Sequence, residues 1–61
     1  MKREILTPRG LRVQIERVLG YTQPTIIKAL RGDYNEGNPG ERRRAERIRQ
    51  YALNNGGVEV S

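Results

Sequence analysis

Leu19-Gly20-Tyr21-Thr22-Gln23-Pro24-Thr25-Ile26-Ile27-Lys28-Ala29-Leu30-Arg31-Gly32, read as LGYTQPTIIKALRG, decides how the rest of this chain is understood. Gly20 directly follows an apolar residue, where a glycine lets the backbone turn left-handed and close a helix. Thr22 then offers a capping hydroxyl, and Pro24 is tolerated in a first helical turn because its missing N–H would have been unpaired anyway. The proline also restrains Gln23 toward extended geometry, which makes Gln23 a second choice of cap. Ile26, Ala29 and Leu30 fall at i, i+3 and i+4 and form one buried face. One helix therefore ends at Leu19-Gly20, and a second runs from near Thr22 to about Arg31 around a tight corner.

Upstream, Leu11, Ile15, Val18 and Leu19 recur at i, i+4, i+7 and i+8, the apolar stripe of a first helix. Thr7-Pro8 reads as its entrance, and Gly10 weakens the first turn, so the helix is expected to start near residue 9 or 10. MKREIL, before it, is either a brief strand or a disordered basic arm. Downstream, residues 32–40 (GDYNEGNPG) hold three glycines, one proline and two asparagines and read as a loop. A third helix is expected over about 41–54, with Glu41 favourably near its positive end and Ala45, Ile48, Tyr51 and Ala52 on one face. Leu53 lies at the edge of that face, and Asn54-Asn55-Gly56-Gly57 ends the helix. Val58-Glu59-Val60, in the tail 55–61, has a minimal strand pattern that pairs either with Glu4 to Leu6 of the same chain or with a second copy.

The chain has 61 residues, which is one small domain near the lower limit for an unaided hydrophobic core. Without cysteine or histidine it makes no disulfide, builds no usual zinc site and lacks the commonest neutral-pH general base. No paired carboxylates, nucleophile-base pair or phosphate loop can be assembled, so an enzyme is not expected, nor is a cofactor or small-molecule ligand. The net charge of +5 favours a polyanionic partner, and the positive charge falls on the expected helices while the loop carries only Asp33 and Glu36. No apolar run approaches the roughly 18 to 20 residues of a spanning helix, and no signal-peptide core follows the N-terminus, so a soluble cytoplasmic, nucleoid-associated protein is expected, with no membrane partner.

Two short amphipathic helices joined by a glycine-containing corner, in a basic domain, make a helix-turn-helix hypothesis. Apolar packing of Ile15, Leu19, Ile26 and Leu30 would hold the pair rigid. The N-terminal end of the second helix could then enter a major groove about 12 Å wide. Gln23 and Lys28 are candidate base readers, with plain solvated side chains as the alternative. Arg31, and Arg9 or Arg12, need only charge within reach to contact phosphates. The cluster from Arg42 to Arg49 is either a solvated face or, through Arg42 and Arg43 near a helix N-terminus, a hold on the nucleic-acid backbone. Tyr21 and Tyr51 read as core aromatics with hydroxyls at the surface, and Tyr34 as either a core anchor or a groove contact.

LGYTQPTIIKALRG resembles the helix-turn-helix of the Cro and lac-repressor headpiece families. Leu19-Gly20-Tyr21-Thr22, Thr25-Ile26 and Lys28 stand where those families have Leu-Gly-apolar-(Ser or Thr), a Thr-Val/Ile pair and a basic residue. The likeness covers roughly residues 11–55, and its specific part is about twenty residues long. It implies an all-α, three-helix helix-turn-helix domain of the lambda-repressor-like kind, with short terminal β-strands as an option, formed by residues 1–61 as one unit with the motif at about 9–31. It further implies a small repressor-like transcriptional regulator binding double-stranded DNA as a homodimer on a near-palindromic site, with the recognition helix at about 23–31. On that reading Thr22, Gln23, Pro24, Ile27 and Lys28 face bases, and Arg9, Arg12, Thr25, Arg31, Arg42 and Arg43 face phosphates. The family usually has a small residue four positions before the glycine, where this chain has Glu16; either the helices splay or the glutamate bends outward to Arg12 or Arg17. Pro24 and Ile27 replace residues that are often polar, and Ile27 is equally a core candidate. The competing function is a protein-interaction or assembly module on the same scaffold.

Overall fold

The computed structural model describes residues 3–60 as three helices and a two-stranded sheet, in the order β1 (Ile5–Leu6), α1 (Leu11–Leu19), α2 (Gln23–Arg31), α3 (Pro39–Asn54) and β2 (Val58–Glu59). The domain is mostly helical. Ile15, Ile26 and Ile48, one from each helix, are fully buried at its centre, with Ile5, Leu11, Ala29, Leu30, Ala45 and Ala52 completing the core. Leu19, Tyr21, Tyr34 and Tyr51 pack around it. Among the described residues no helix is long and apolar enough to cross a membrane.

The corner between α1 and α2 is three residues long, from Gly20 to Thr22. Gly20 has φ 80°, and its N–H donates to the Glu16 carbonyl at 2.9 Å, closing α1 in a conformation that costs a side chain dearly and glycine nothing. Thr22 stands at the N-cap of α2, but its hydroxyl lies against that of Thr25 at 3.1 Å and makes no bond to the helix backbone. The far end of α2 closes with Gly32 N–H on the Ala29 carbonyl and Asp33 N–H on the Lys28 carbonyl, the paired bonds of a Schellman motif.

Three expectations need correction. Helix α1 starts at Leu11, just past the expected residue 9 or 10, because Gly10 (φ 86°) belongs to a reverse turn that begins at Pro8, in which Leu11 N–H bonds the Pro8 carbonyl at 3.1 Å; Thr7 precedes that turn and caps nothing. Helix α3 starts at Pro39, two residues early, because Asn38 Oδ1 accepts from Glu41 N–H at 3.1 Å and the proline fills the first helical position. Val18 is 59% exposed despite its place on the apolar stripe of α1, since no other element covers the last turn there. Leu53 is likewise exposed, and the buried face of α3 is Ala45, Ile48, Arg49 and Ala52, with Tyr51 half-buried beside it.

The terminal strands pair with each other within the chain, antiparallel, with Ile5 opposite Glu59 and Leu6 opposite Val58. The part of the strand-or-arm reading that falls on Met1 and Lys2 lies outside the described residues. Side chains alternate across a strand, so Ile5 enters the core while Leu6 and Val58 face outward, and Glu59, on the same side as Ile5, points back toward the helices. There it meets Arg49. This arginine is only 7% exposed; its Nη1 donates to the Ala29 carbonyl at 2.9 Å and the Leu30 carbonyl at 3.3 Å, and its Nη2 to the Arg3 carbonyl and to Glu59 Oε2 at 3.3 Å. One guanidinium thus satisfies the carbonyls that end α2, adds positive charge at that negative helix terminus, and fastens both terminal segments to α3.

Candidate nucleic-acid interface

Helix α2 has nine residues and three distinct sides. Ile26, Ala29 and Leu30 are buried. By the helical repeat of 100° per residue, Pro24, Lys28 and Arg31 project on the opposite side, and all three are exposed. Thr25 and Ile27, both half-buried, flank that face at its two edges. The outward surface is therefore short, basic and apolar in part.

A groove runs along each edge of α2. On the α3 side, a cleft of about 160 Å³ is bordered by Thr25 and Lys28 from α2 and by Tyr34, Glu41 and Arg44 from the loop and α3. Toward β1 and α1, a wider groove of about 470 Å³ is bordered by Leu6, Arg12, Ile27 and Arg31. Two cationic side chains and one acidic one thus line each groove: Lys28 and Arg44 with Glu41 on one side, Arg31 and Arg12 with Glu4 on the other.

The expected site residues divide accordingly. Pro24, Thr25, Ile27, Lys28 and Arg31 share the outer side of α2 and its two edges, and Arg12 joins them across a groove. Thr22 is exposed at the start of the helix, with its hydroxyl engaged by Thr25. Arg9 is exposed in the turn before α1. Arg42 and Arg43 are exposed on the first turns of α3 but border neither groove; Arg42 Nη1 reaches back to the Glu36 carbonyl at 3.4 Å. The arginine of α3 that does border the cleft is Arg44, a member of the Arg42 to Arg49 cluster that the sequence does not single out as it does Arg42 and Arg43. Its place follows from the phase of α3, set by the Asn38 cap: Glu41, Ala45 and Ile48 turn inward, and Arg44 stands next to them.

No family model matches this chain, and comparison with curated proteins and with solved structures found no match.

Gln23 differs most from the expectation of a freely reading side chain. It is half-buried, and its Nε2 donates to the Arg12 carbonyl at 3.1 Å and to Glu16 Oε1 at 3.1 Å. Glu16, for which the alternatives are splayed helices or a side chain bent outward to Arg12 or Arg17, accepts from Gln23 across the corner. The bond joins the second turn of α1 to the first residue of α2, where a small residue would leave a gap. Tyr34 resolves as a core anchor: its ring packs against the core, and its hydroxyl is buried without a hydrogen-bond partner among the described residues. Tyr51 is half-buried and its hydroxyl accepts from Gln14 Nε2 at 2.8 Å. Among the described residues no group of three or more acidic side chains comes together as a metal site.

Proposed function

We propose that this chain is a helix-turn-helix domain that binds double-stranded DNA, laying the N-terminal half of α2 in the major groove, and that it acts as a small transcriptional regulator by occupying its site. The observation that carries the reading is the exposed face of α2: Pro24, Lys28 and Arg31 project outward from a helix whose other side is buried, with Arg12 and Arg44 across the grooves at its two edges. A helix about 10 to 12 Å across matches a groove about 12 Å wide, and cations on both edges face the two phosphate ridges that bound such a groove. The net charge of +5 adds a general attraction to the same polyanion.

The domain measures 30 × 28 × 17 Å, less than the roughly 34 Å of one DNA turn, so one copy reaches a single stretch of major groove. Two copies on a near-palindromic site would supply the affinity and the length of sequence that one cannot. Lys28 is assigned to base edges and Arg31 to phosphate. The test is a set of gel-shift titrations at several salt concentrations with a sequence selected from a random duplex pool. Lys28→Ala should lower discrimination between selected and random duplex. Arg31→Ala should weaken binding to both alike and reduce the slope of log affinity against log salt by about 1. Equal, sequence-independent losses from both substitutions would reject these roles, and no binding by the unaltered chain to any duplex would reject the function.

A further inference from the structure

The amide of Gln23 has a polarity that its surroundings dictate. Its two neighbours on α1, the Arg12 carbonyl and the Glu16 carboxylate, both lie at 3.1 Å and are both acceptors. Only the nitrogen end of a carboxamide can face two oxygens, so the O/N assignment that is ordinarily ambiguous for glutamine is settled here by chemistry. A carboxamide nitrogen carries two hydrogens, and these two bonds use both. Oε1 is left. It has no protein partner among the described residues, and it is not a buried unpartnered atom, since Tyr34 Oη is the one such atom there; Oε1 is therefore not fully enclosed by the protein. Gln23 is also the first residue of α2, the end that the proposed docking carries deepest into the groove.

We infer that Gln23 reads the major groove as a lone hydrogen-bond acceptor, held in that polarity by Glu16, and so favours an exocyclic amino group, on adenine or cytosine, at the base it faces. This inference rests on the DNA-binding reading above. An unrestrained glutamine pairs bidentately with adenine, giving an N–H to N7 and accepting from N6. Gln23 has no N–H to give. It can accept one bond from adenine N6 or cytosine N4, and it meets only another oxygen at guanine O6 or thymine O4. The consequence is a two-base preference where a free glutamine would select one. Glu16 is the positioning residue. Without it one amide hydrogen is released while the Arg12 carbonyl keeps the other; Glu16 is assigned the hydrogen on the same side of the C–N bond as Oε1, the one that bidentate adenine pairing needs.

The experiment begins with selection of bound duplexes by the full chain and by Gln23→Ala, which locates the base position whose preference depends on Gln23. Four duplexes differing only at that position are then titrated by gel shift. The unaltered chain should bind the adenine and cytosine duplexes within about threefold of each other and both more tightly than the other two, while Glu16→Ala should favour adenine over cytosine by about tenfold. Glu16→Gln still offers an oxygen to the amide and should keep the original pattern. Ratios within one variant cancel the uniform gain in affinity from removing a negative charge. If Gln23 only ties α1 to α2, Gln23→Ala lowers the melting temperature and leaves every base preference intact, which overturns the inference and leaves DNA reading standing. An adenine-to-cytosine ratio unchanged in Glu16→Ala overturns it equally. A pool from which the unaltered chain selects nothing overturns the DNA reading and the inference with it.

Discussion

Replacing Arg49 with methionine tests what holds this domain together. Methionine keeps most of the apolar stem and volume but donates no hydrogen bond, so the Ala29, Leu30 and Arg3 carbonyls lose a charged donor at a site where Arg49 itself is 7% exposed. Hydrogen bonds to a charged group are worth about 1.5 to 3 kcal/mol each. The bonds to the Arg3 and Ala29 carbonyls are the strong ones, because the Leu30 carbonyl shares Nη1 at 3.3 Å. The ion pair adds little, since the Glu59 side chain is 45% exposed and solvent screens it. A total loss of about 3 to 4 kcal/mol follows, against the roughly 3 to 5 kcal/mol that a core of this size supplies. At about 4 to 8 °C per kcal/mol, the melting temperature should fall by about 12 to 32 °C, read by circular dichroism at 222 nm. Glu59→Gln, which removes only the pair, should shift it by no more than about 5 °C. A decrease below about 4 °C for Arg49→Met would refute the reasoning, because it would mean that water replaces the guanidinium at these carbonyls without cost.

The other packing predictions concern single contacts. Tyr34→Phe should stabilise the domain by about 1 kcal/mol, since it removes a buried hydroxyl that has no partner among the described residues; a lower midpoint in urea at unchanged slope would show that the hydroxyl is bonded. Gly57→Ala should cost about 2 kcal/mol, because the new Cβ would lie 2.7 Å from the Ala52 carbonyl oxygen and 3.0 Å from Ile5 Cγ2, and backbone atoms cannot move aside as a flexible side chain would. Loss of stability with retained helix content would be the expected pair of signals in circular dichroism. Asn38→Ala should cost about 1 kcal/mol and lower the melting temperature by about 4 to 8 °C, while Asn38→Asp keeps the capping oxygen and should change it little.

Much of this arrangement is legible in the chain before any coordinates. Gly20, Pro24 and the spacing of Ile26, Ala29 and Leu30 are local signals, and α2 runs over Gln23–Arg31 as they imply. The start of α3 is written in Asn38-Pro39-Gly40-Glu41, a cap and proline that resemble loop because glycine surrounds them. Arg49 was hidden for a different reason. It falls four residues after Ala45, on the buried stripe, but an arginine in an arginine-rich helix reads as solvated unless acceptors meet it. Those acceptors come from the end of α2 and from Arg3, residues 19 to 46 positions away. The Glu16–Gln23 bond was hidden similarly, since seven residues of separation say nothing about contact until the angle of the corner is known.

Both ends of α2 are held by polar side chains acting on α1 and α3, and the two holds differ in kind. Gln23 bonds Arg12 and Glu16 at a half-exposed edge, where each hydrogen bond contributes only about 1 kcal/mol. Arg49 bonds the opposite end from inside the core, where its loss takes a charged donor from the Leu30 carbonyl and leaves the Ala29 carbonyl with only the Gly32 N–H. The N-terminal end of the helix, which on the proposed reading faces the bases, is thus the cheaper one to alter. Substitutions at Glu16 and Gln23 should move recognition more than stability, and substitutions at Arg49 should move stability before recognition can be measured. A reading surface needs positional precision from its supporting contacts, yet must be free to vary in its side chains. Dividing the two tasks between opposite ends of one nine-residue helix meets both needs in a domain too small to separate them further.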